Sequence, residues 1–340
     1  MSVDIEGPTT GATPEGPANP MERLRPRTRG DWGTVIGWAA GLAVVVLIPF
    51  LGLPPIYAAA VVTTMVYIPS AVGQNLVLGN AGLLSMGQAA FVGVGAYTAA
   101  VLALRFEVDG SVALIAAVVV SGVFGGLVGI PALRLGGDYL FLVSLGFNLI
   151  VVDIANAWIS VTGGATGLAG IPTLTLFGVD VGSGTTFYFS VLGIVLLFLV
   201  LVQLLQTSRF GKTMEAVRDD ETAAMAVGIR PAGPKVWYFA IGSGLAGLTG
   251  GLLAYHLHFV GPQSFNTMWS LLIFQMAVIG GLGRISGSVL GAFIILLLPE
   301  IFRPLQDYRQ LIVGVLIVVL MVYRPQGLLG TSKITNLIKK

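Results

Sequence analysis

The sequence predicts an all-α protein, a polytopic bundle of membrane helices. Three observations predict it. Hydrophobic residues make up 55% of the 340 residues and charged residues 10%, with a mean hydropathy of +0.89; soluble domains carry about a quarter charged residues. The apolar residues are gathered into long runs, and a helix needs about 20 of them to cross the hydrocarbon. The 47 glycines follow no collagen-like period, and glycine is more frequent in membrane helices than in soluble ones. With no cysteine in the chain, a disulfide framework, a thiolate metal site and a cysteine nucleophile are excluded.

Residues 1–30 are rich in Pro, Gly and Thr and cannot build a core, so they read as a disordered tail. They lack the apolar centre of a secretory signal. The tail ends in Arg23, Arg25, Arg27 and Arg29. Just before an apolar run, such a cluster suits a topology anchor and a contact for anionic membrane lipid, and argues against nucleic-acid binding. Residues 31–330 form the membrane domain and 331–340 a second tail. Candidate spans are 33–53, 56–72, 88–104, 111–131, 139–159, 185–205, 236–256, 267–282, 287–302 and 309–323, about ten in all. The stretch from Gln74 to Gly87 is too polar and glycine-rich for a simple helix and reads as re-entrant or broken.

Charge placement fixes an orientation. With the N-terminus in the cytoplasm and ten alternating spans, fifteen of the eighteen lysines and arginines lie inside. Only Arg105, Arg303 and Arg309 lie outside, and the loop 160–184 has no basic residue. This is the positive-inside pattern, with both termini cytoplasmic. Five spans on each side of that loop start from opposite faces, the condition for an inverted repeat, although the two halves show no convincing sequence similarity.

Two motifs of soluble enzymes are present only in letters. Gly242-Ser243-Gly244-Leu245-Ala246-Gly247 matches a dinucleotide fingerprint but lies inside an apolar span, with no strand before it. Small residues that let helices approach closely explain it better. Gly211-Lys212-Thr213 ends like a phosphate-binding loop, but Gln206 stands where the first glycine is required. His256 and His258, two apart on a helix, point in different directions and do not form a metal pair. Asp153 and Glu300 sit near span ends, where an interfacial carboxylate is the simplest reading. No catalytic residue, metal site or cofactor is expected.

The cytoplasmic segment 207–235 carries good helix formers from Glu215 to Val227, and Gly228 is a natural stop. Met214, Val217 and Met225 suggest an apolar stripe, and Asp219, Asp220 and Glu221 an acidic start to its second half. A solvated connecting helix and a helix that docks on a cytoplasmic partner both fit. Between the second and third spans, the glycines at 79, 82, 87, 93 and 95 weaken helix and allow close backbone approach. A broken helix at membrane depth is tolerated where it is buried or faces a water-filled cavity. Substrate contact and tight helix packing both explain this segment. They also both explain Asn75, Ser85, Gln88, Phe91, Tyr97 and Asn148, which form the candidate path.

Several motifs resemble, in order, those of the permease subunits of branched-chain amino acid ABC transporters. They are Asn75-Leu76 through Gly79 and Gly82, Ser85-Met86-Gly87, Ala89-Ala90-Phe91, and Gly93 to Tyr97. Next come Gly137-Asp138-Tyr139-Leu140 with Leu145-Gly146-Phe147, and Thr162-Gly163-Gly164 with Gly167-Leu168. Ser208-Arg209 through Ile229 follows, then Gly280 to Gly283 with Gly287, and last Tyr323 to Leu328. The resemblance covers residues 70–330. It implies a non-enzymatic permease subunit in the plasma membrane, moving branched-chain amino acids by ATP-driven alternating access. The implied partners are a second permease subunit, two cytoplasmic ATP-binding subunits and an external solute-binding protein. The coupling contacts are then Glu215, Arg218, Asp219, Asp220, Glu221, Ala224 and Gly228. Gln88, Gly136, Thr166 and Ser288 depart from residues common in that family, and the related urea and short-chain amide permeases share most of the motifs. An ion-coupled secondary transporter is the alternative of a different class.

Overall fold

The computed structural model describes residues 54–134, 137–182 and 184–301, with single residues or short stretches between 41 and 51, at 308–315 and at 327–329. The tails at 1–30 and 331–340, and most of the candidate spans 33–53 and 309–323, lie outside the described residues. Two units are distinguished, Met1–Ile48 and Pro49–Lys340. The second is a helical bundle.

Its long helices are α1 (Pro55–Asn75), α2 (Gln88–Arg105), α3 (Gly110–Arg134), α4 (Gly137–Ala157), α5 (Gly184–Thr207) and, after two short helices, α8 (Ala232–Leu257). The short ones are α6 (Arg209–Asp219) and α7 (Glu221–Ala226); α9 (Thr267–Gly280) and α10 (Ile285–Ala292) follow α8. Among the described residues, six helices are long and apolar enough to cross a membrane. The second candidate span is longer than its apolar run, because α1 continues through a π-helical turn at Leu76–Asn80. The candidate spans 267–282 and 287–302 correspond to shorter helices. The 14 residues of α9 cover about 21 Å, against roughly 30 Å of hydrocarbon.

Glycine determines the packing. The central helix α8 is the most buried of the six, with α1, α2 and α3 against it. A Cβ at Gly242 would lie 2.8 Å from the Gly73 carbonyl oxygen, and one at Gly244 3.1 Å from that of Val118. The fingerprint-like run is therefore a helix-packing surface. Pro69, inside α1, has no N–H to donate. Beside it, Thr249 of α8 enters the helix: its hydroxyl accepts from Ser70 N at 3.1 Å and donates to Val66 O at 2.9 Å. It thus bridges the pair that a regular turn joins directly.

Contacts group the connections at two ends. At one end Arg105 donates to the carbonyls of Ser160 and Val161. There also β1 (Leu168–Ala169) pairs antiparallel with β4 (Phe259–Val260), and β2 (Thr175–Leu176) forms a hairpin with β3 (Val179–Asp180). These two-residue strands are the only β-structure among the described residues. At the other end Gln206 donates to Asn80, Asn75 binds the turn at Gly281–Arg284, and the backbones of Leu328 and Leu329 donate to Ile279 and Gly280.

Candidate functional site

Two stretches outside the α-helices enter the bundle from opposite ends. The first is Ala81–Gly87, between α1 and α2. Gly82 adopts φ +68°, a conformation that side chains disfavour. Leu83 N donates to Val77 O at 2.9 Å, and Met86 N donates to Ser144 Oγ at 2.8 Å. A Cβ at Gly87 would lie 2.9 Å from Ser144 O, so α4 closes directly over the coil.

The second stretch is Phe259–Asn266, ahead of α9. Val260, Gly261, Pro262 and Phe265 are buried. The Phe265 ring lies against Gly93 and edge-on to Tyr97, with centroids 6.1 Å apart. Tyr97 is eight residues short of the α2 end at Arg105, or about 12 Å down the helix, so this segment descends well into the bundle. Asn266 caps α9 by accepting from Met268 N and Trp269 N. The helices that follow them touch where Ala89 N donates to Ser270 Oγ at 3.0 Å, and Tyr67 of α1 stacks on Trp269 of α9 with centroids 5.1 Å apart.

Ser85 lies in the first stretch and Gln88 follows it directly, Tyr97 and Asn148 touch Phe265 of the second, and Asn75 and Phe91 face other neighbours. Asn75 is saturated: Nδ2 donates to Gly281 O, Arg284 O and Ser288 Oγ, and Oδ1 accepts from Gly283 N at 2.8 Å. Asn148 is likewise engaged, donating to Phe265 O at 3.1 Å and accepting from Thr267 Oγ1 at 3.2 Å. Phe91 is fully buried between Phe147 and Phe239. Ser85 and Gln88 are buried; Ser85 O accepts from Gln74 Nε2 at 3.0 Å, and Gln88 Nε2 donates to Gly242 O at 3.0 Å. The Tyr97 hydroxyl is buried and has no partner.

Other residues of this polar layer escape a reading of the sequence. Ser144 and Ser270 receive backbone N–H groups from the coil and from α2, and Ser70 and Gln74 carry buried oxygens without a partner. The signal was available, since a hydroxyl or amide amid an apolar run marks helix-to-helix bonding. Many serines show it, however, and only the fold singles these out. A groove of about 580 Å³ between α3, α5 and α8 is lined by apolar side chains and holds none of the candidate residues.

The coupling segment is two helices. Ser208 accepts from Gly211 N at the start of α6, and Asp220 accepts from Ala223 N at the start of α7, at 2.9 Å. Asp220 is extended (φ −156°, ψ 105°), so the continuous helix suggested by the sequence breaks there. Gly228, at φ +86°, ends α7, and Ile229 N donates back to Ala224 O. Met214, Val217 and Ala224 are buried, while Met225 is exposed. Glu215, Asp219, Asp220 and Glu221 are exposed, and Glu221 pairs with Lys235 at 2.6 Å. Arg218 is half-buried beside the coil: a Cβ on Gly82 would lie 3.9 Å from its Cγ. Burial lowers the Arg218 pKa, opposed by Asp219 and Glu215.

Outside this layer, Asp153 is exposed near the end of α4. His256 bonds Thr63 Oγ1 at 3.1 Å and stacks on Phe187, while His258 bonds Ile171 O at 2.8 Å, so the two histidines face different partners.

Residues 56–321 match the family described as the branched-chain amino acid transport system / permease component. The chain is 36% identical over 293 residues to the high-affinity branched-chain amino acid transport system permease protein LivM of Salmonella typhimurium, covering 79% of this chain and 69% of that one. To LivM of Escherichia coli K12 it is 35% identical over the same shares. To the permease protein LivH of Salmonella typhimurium it is 23% identical, over 78% of this chain and 91% of the relative. No solved structure matches significantly. The chain therefore belongs to the branched-chain amino acid transport permease family, as a LivM-type member of the ABC transporters.

Proposed function

We propose that this chain is one of a pair of permease subunits in an ATP-driven plasma-membrane importer of branched-chain amino acids. Its second permease would be a LivH-like subunit, since LivM and LivH proteins both resemble this chain. Two ATP-binding subunits would dock at the cytoplasmic end and a solute-binding protein at the outer end. The ten spans, as five and five starting from opposite faces, would leave both termini in the cytoplasm.

The observation that carries the ATP-driven reading is the two-sidedness of α6 and α7. Met214, Val217 and Ala224 anchor them to the bundle, while Glu215, Asp219, Asp220 and Glu221 are turned outward. A charged exposed face, on which Arg209 and Lys212 stand beside these carboxylates, suits docking on a cytoplasmic ATPase, and Arg218 and Ala224 link that face to the bundle. Gly228 sets the exit angle of the segment. In alternating access, a push on α6 would reach the coil Ala81–Gly87 through Arg218 and Gly82. The path would follow this coil, with Ser85, Gln88 and Tyr97 along it and Asn75, Phe91 and Asn148 in its walls.

The test is co-purification from cells expressing the whole transporter. The ATPase subunits should follow the tagged chain. Charge reversal at Asp219 to Glu221, or Gly228→Val, should abolish ATP-dependent uptake and leave membrane insertion intact. Unchanged transport in all these variants would exclude the coupling role.

A further inference from the structure

We propose that Ser70 and Gln74 of α1 form a subsite for the amino group of the transported solute. The inference rests on the importer reading and extends it to a specific part of the substrate. Ser70 and Gln74 are one turn apart and therefore lie on the same face of α1. Both are fully buried, yet Ser70 Oγ and Gln74 Oε1 have no hydrogen-bond partner in the protein. An unmet buried polar group is costly, and native structures rarely keep one without a reason.

The remaining polar atoms around them are satisfied. Gln74 Nε2 donates to Ser85 O at 3.0 Å, Gln88 Nε2 reaches Gly242 O and the Ser70 carbonyl, and Ser70 N donates to Thr249. The free groups that remain are one amide carbonyl, which only accepts, and one hydroxyl, which accepts as well as donates. The carbonyl requires a donor, and a ligand that carries several N–H donors on one atom serves it and the hydroxyl together. An ammonium group does so, with three donors. The face carrying them looks toward Ser85 and Gln88, at the start of α2, where the coil leaves the helical path. A helix N-terminus favours negative charge, so a zwitterion would lie with its carboxylate toward α2 and its ammonium against α1. A neutral amide would offer N–H donors to the same oxygens.

Ser70→Ala separates this role from packing. The hydroxyl has no protein partner, so its removal deprives the fold of no hydrogen bond. In proteoliposomes containing the complete transporter, Ser70→Ala and Gln74→Leu should each raise the half-saturating leucine concentration about tenfold or more, the effect of losing a hydrogen bond to a charged group. Ser70→Ala should leave the amount of assembled complex unchanged. Competition by 4-methyl-2-oxopentanoate, which lacks the amino group, should be weak with the parent protein and gain relative to leucine in both variants. If acetamide rather than leucine is the solute whose uptake the variants weaken, the subsite holds and serves an amide. If the parent complex transports leucine and Ser70→Ala leaves both affinity and discrimination unchanged, the subsite is refuted while the importer reading stands. Loss of assembled Ser70→Ala complex with unchanged affinity also refutes it, because the hydroxyl then serves the fold. A parent complex that transports neither solute overturns the importer reading itself.

Discussion

The amide of Ala89 donates to the hydroxyl of Ser270 at 3.0 Å, joining the first turn of α2 to the first turn of α9. Both helices start inside the bundle, and each is reached by chain that has left the helical path. Irregular backbone at membrane depth is tolerated only where protein or a wet cavity receives its polar groups. Ser144 and Asn148, one turn apart on α4, do this for the two segments, one accepting from Met86 N and the other donating to Phe265 O.

Asn75 holds the turn between α9 and α10 by three hydrogen bonds and reaches Ser288 of α10 with a fourth. Asn75→Ala leaves Gly283 N and the Gly281 carbonyl unmet, at a cost of about 2 kcal/mol or more. The expected result is a lower melting temperature of the purified complex, read by thermal unfolding in detergent. Asn75→Asp should also destabilise, since a carboxylate cannot donate to the Gly281 and Arg284 carbonyls.

Glycines within one helix should differ sharply in tolerance. A Cβ at Gly250 would fall on the Val92 carbonyl and lie 2.6 Å from Ala96 N, whereas nothing lies within 4 Å of one at Gly233. Gly250→Val is expected to prevent assembly. Gly233→Ala should be neutral, or stabilising by up to about 1 kcal/mol. Size-exclusion profiles of the two variants decide the matter.

At the hairpin of β2 and β3, the Asp109 carboxylate accepts from the Ser111 hydroxyl and from Gly178 N, at 2.9 Å to the latter. These bonds hold its pKa down to about 2. A depressed carboxylate pKa means a contribution to stability that is full above the ordinary value near 4 and is lost as pH falls through about 2. Between pH 5 and 8 the hairpin link should therefore be independent of pH. Asp109→Ala should expose residues 175–180 to proteolysis throughout that range, and an intact hairpin in this variant would refute the role.

The chain has no cysteine, so single cysteines report sidedness directly. A cysteine at 220 should react with an impermeant reagent only after the membrane is opened. One at 177, on the exposed hairpin tip, should react in intact cells. The reverse result would invert the proposed orientation.

The long helices α1 to α5 and α8 were legible because their apolar runs are long and their ends are marked by charge, proline or glycine. The helix-packing role of Gly242–Gly247 was legible too, from its setting in an apolar run. The length of α1 was not, since Gln74, Asn75 and the glycines up to Gly87 mark the whole stretch as a break, yet Leu76–Asn80 stays wound as a π-helical turn. The descent of Phe259–Asn266 was also hidden, because a short polar-flanked loop looks the same at the surface or inside. Asn75 and Asn148 stood out as amides amid apolar sequence, but only the fold shows that their hydrogen-bonding capacity is engaged by neighbouring chain. Ser70 and Gln74 look no different in sequence from the serines and glutamines that are satisfied.

Uptake by the reconstituted complex distinguishes ATP-driven import of branched-chain amino acids from ion-coupled transport. Proteoliposomes holding both permeases and the ATPase subunits, supplied with the solute-binding protein outside, should accumulate labelled leucine only when the ATPase sites have access to ATP. A proton or sodium gradient alone should drive none. Accumulation by this chain alone on an ion gradient, without ATP, would contradict the account.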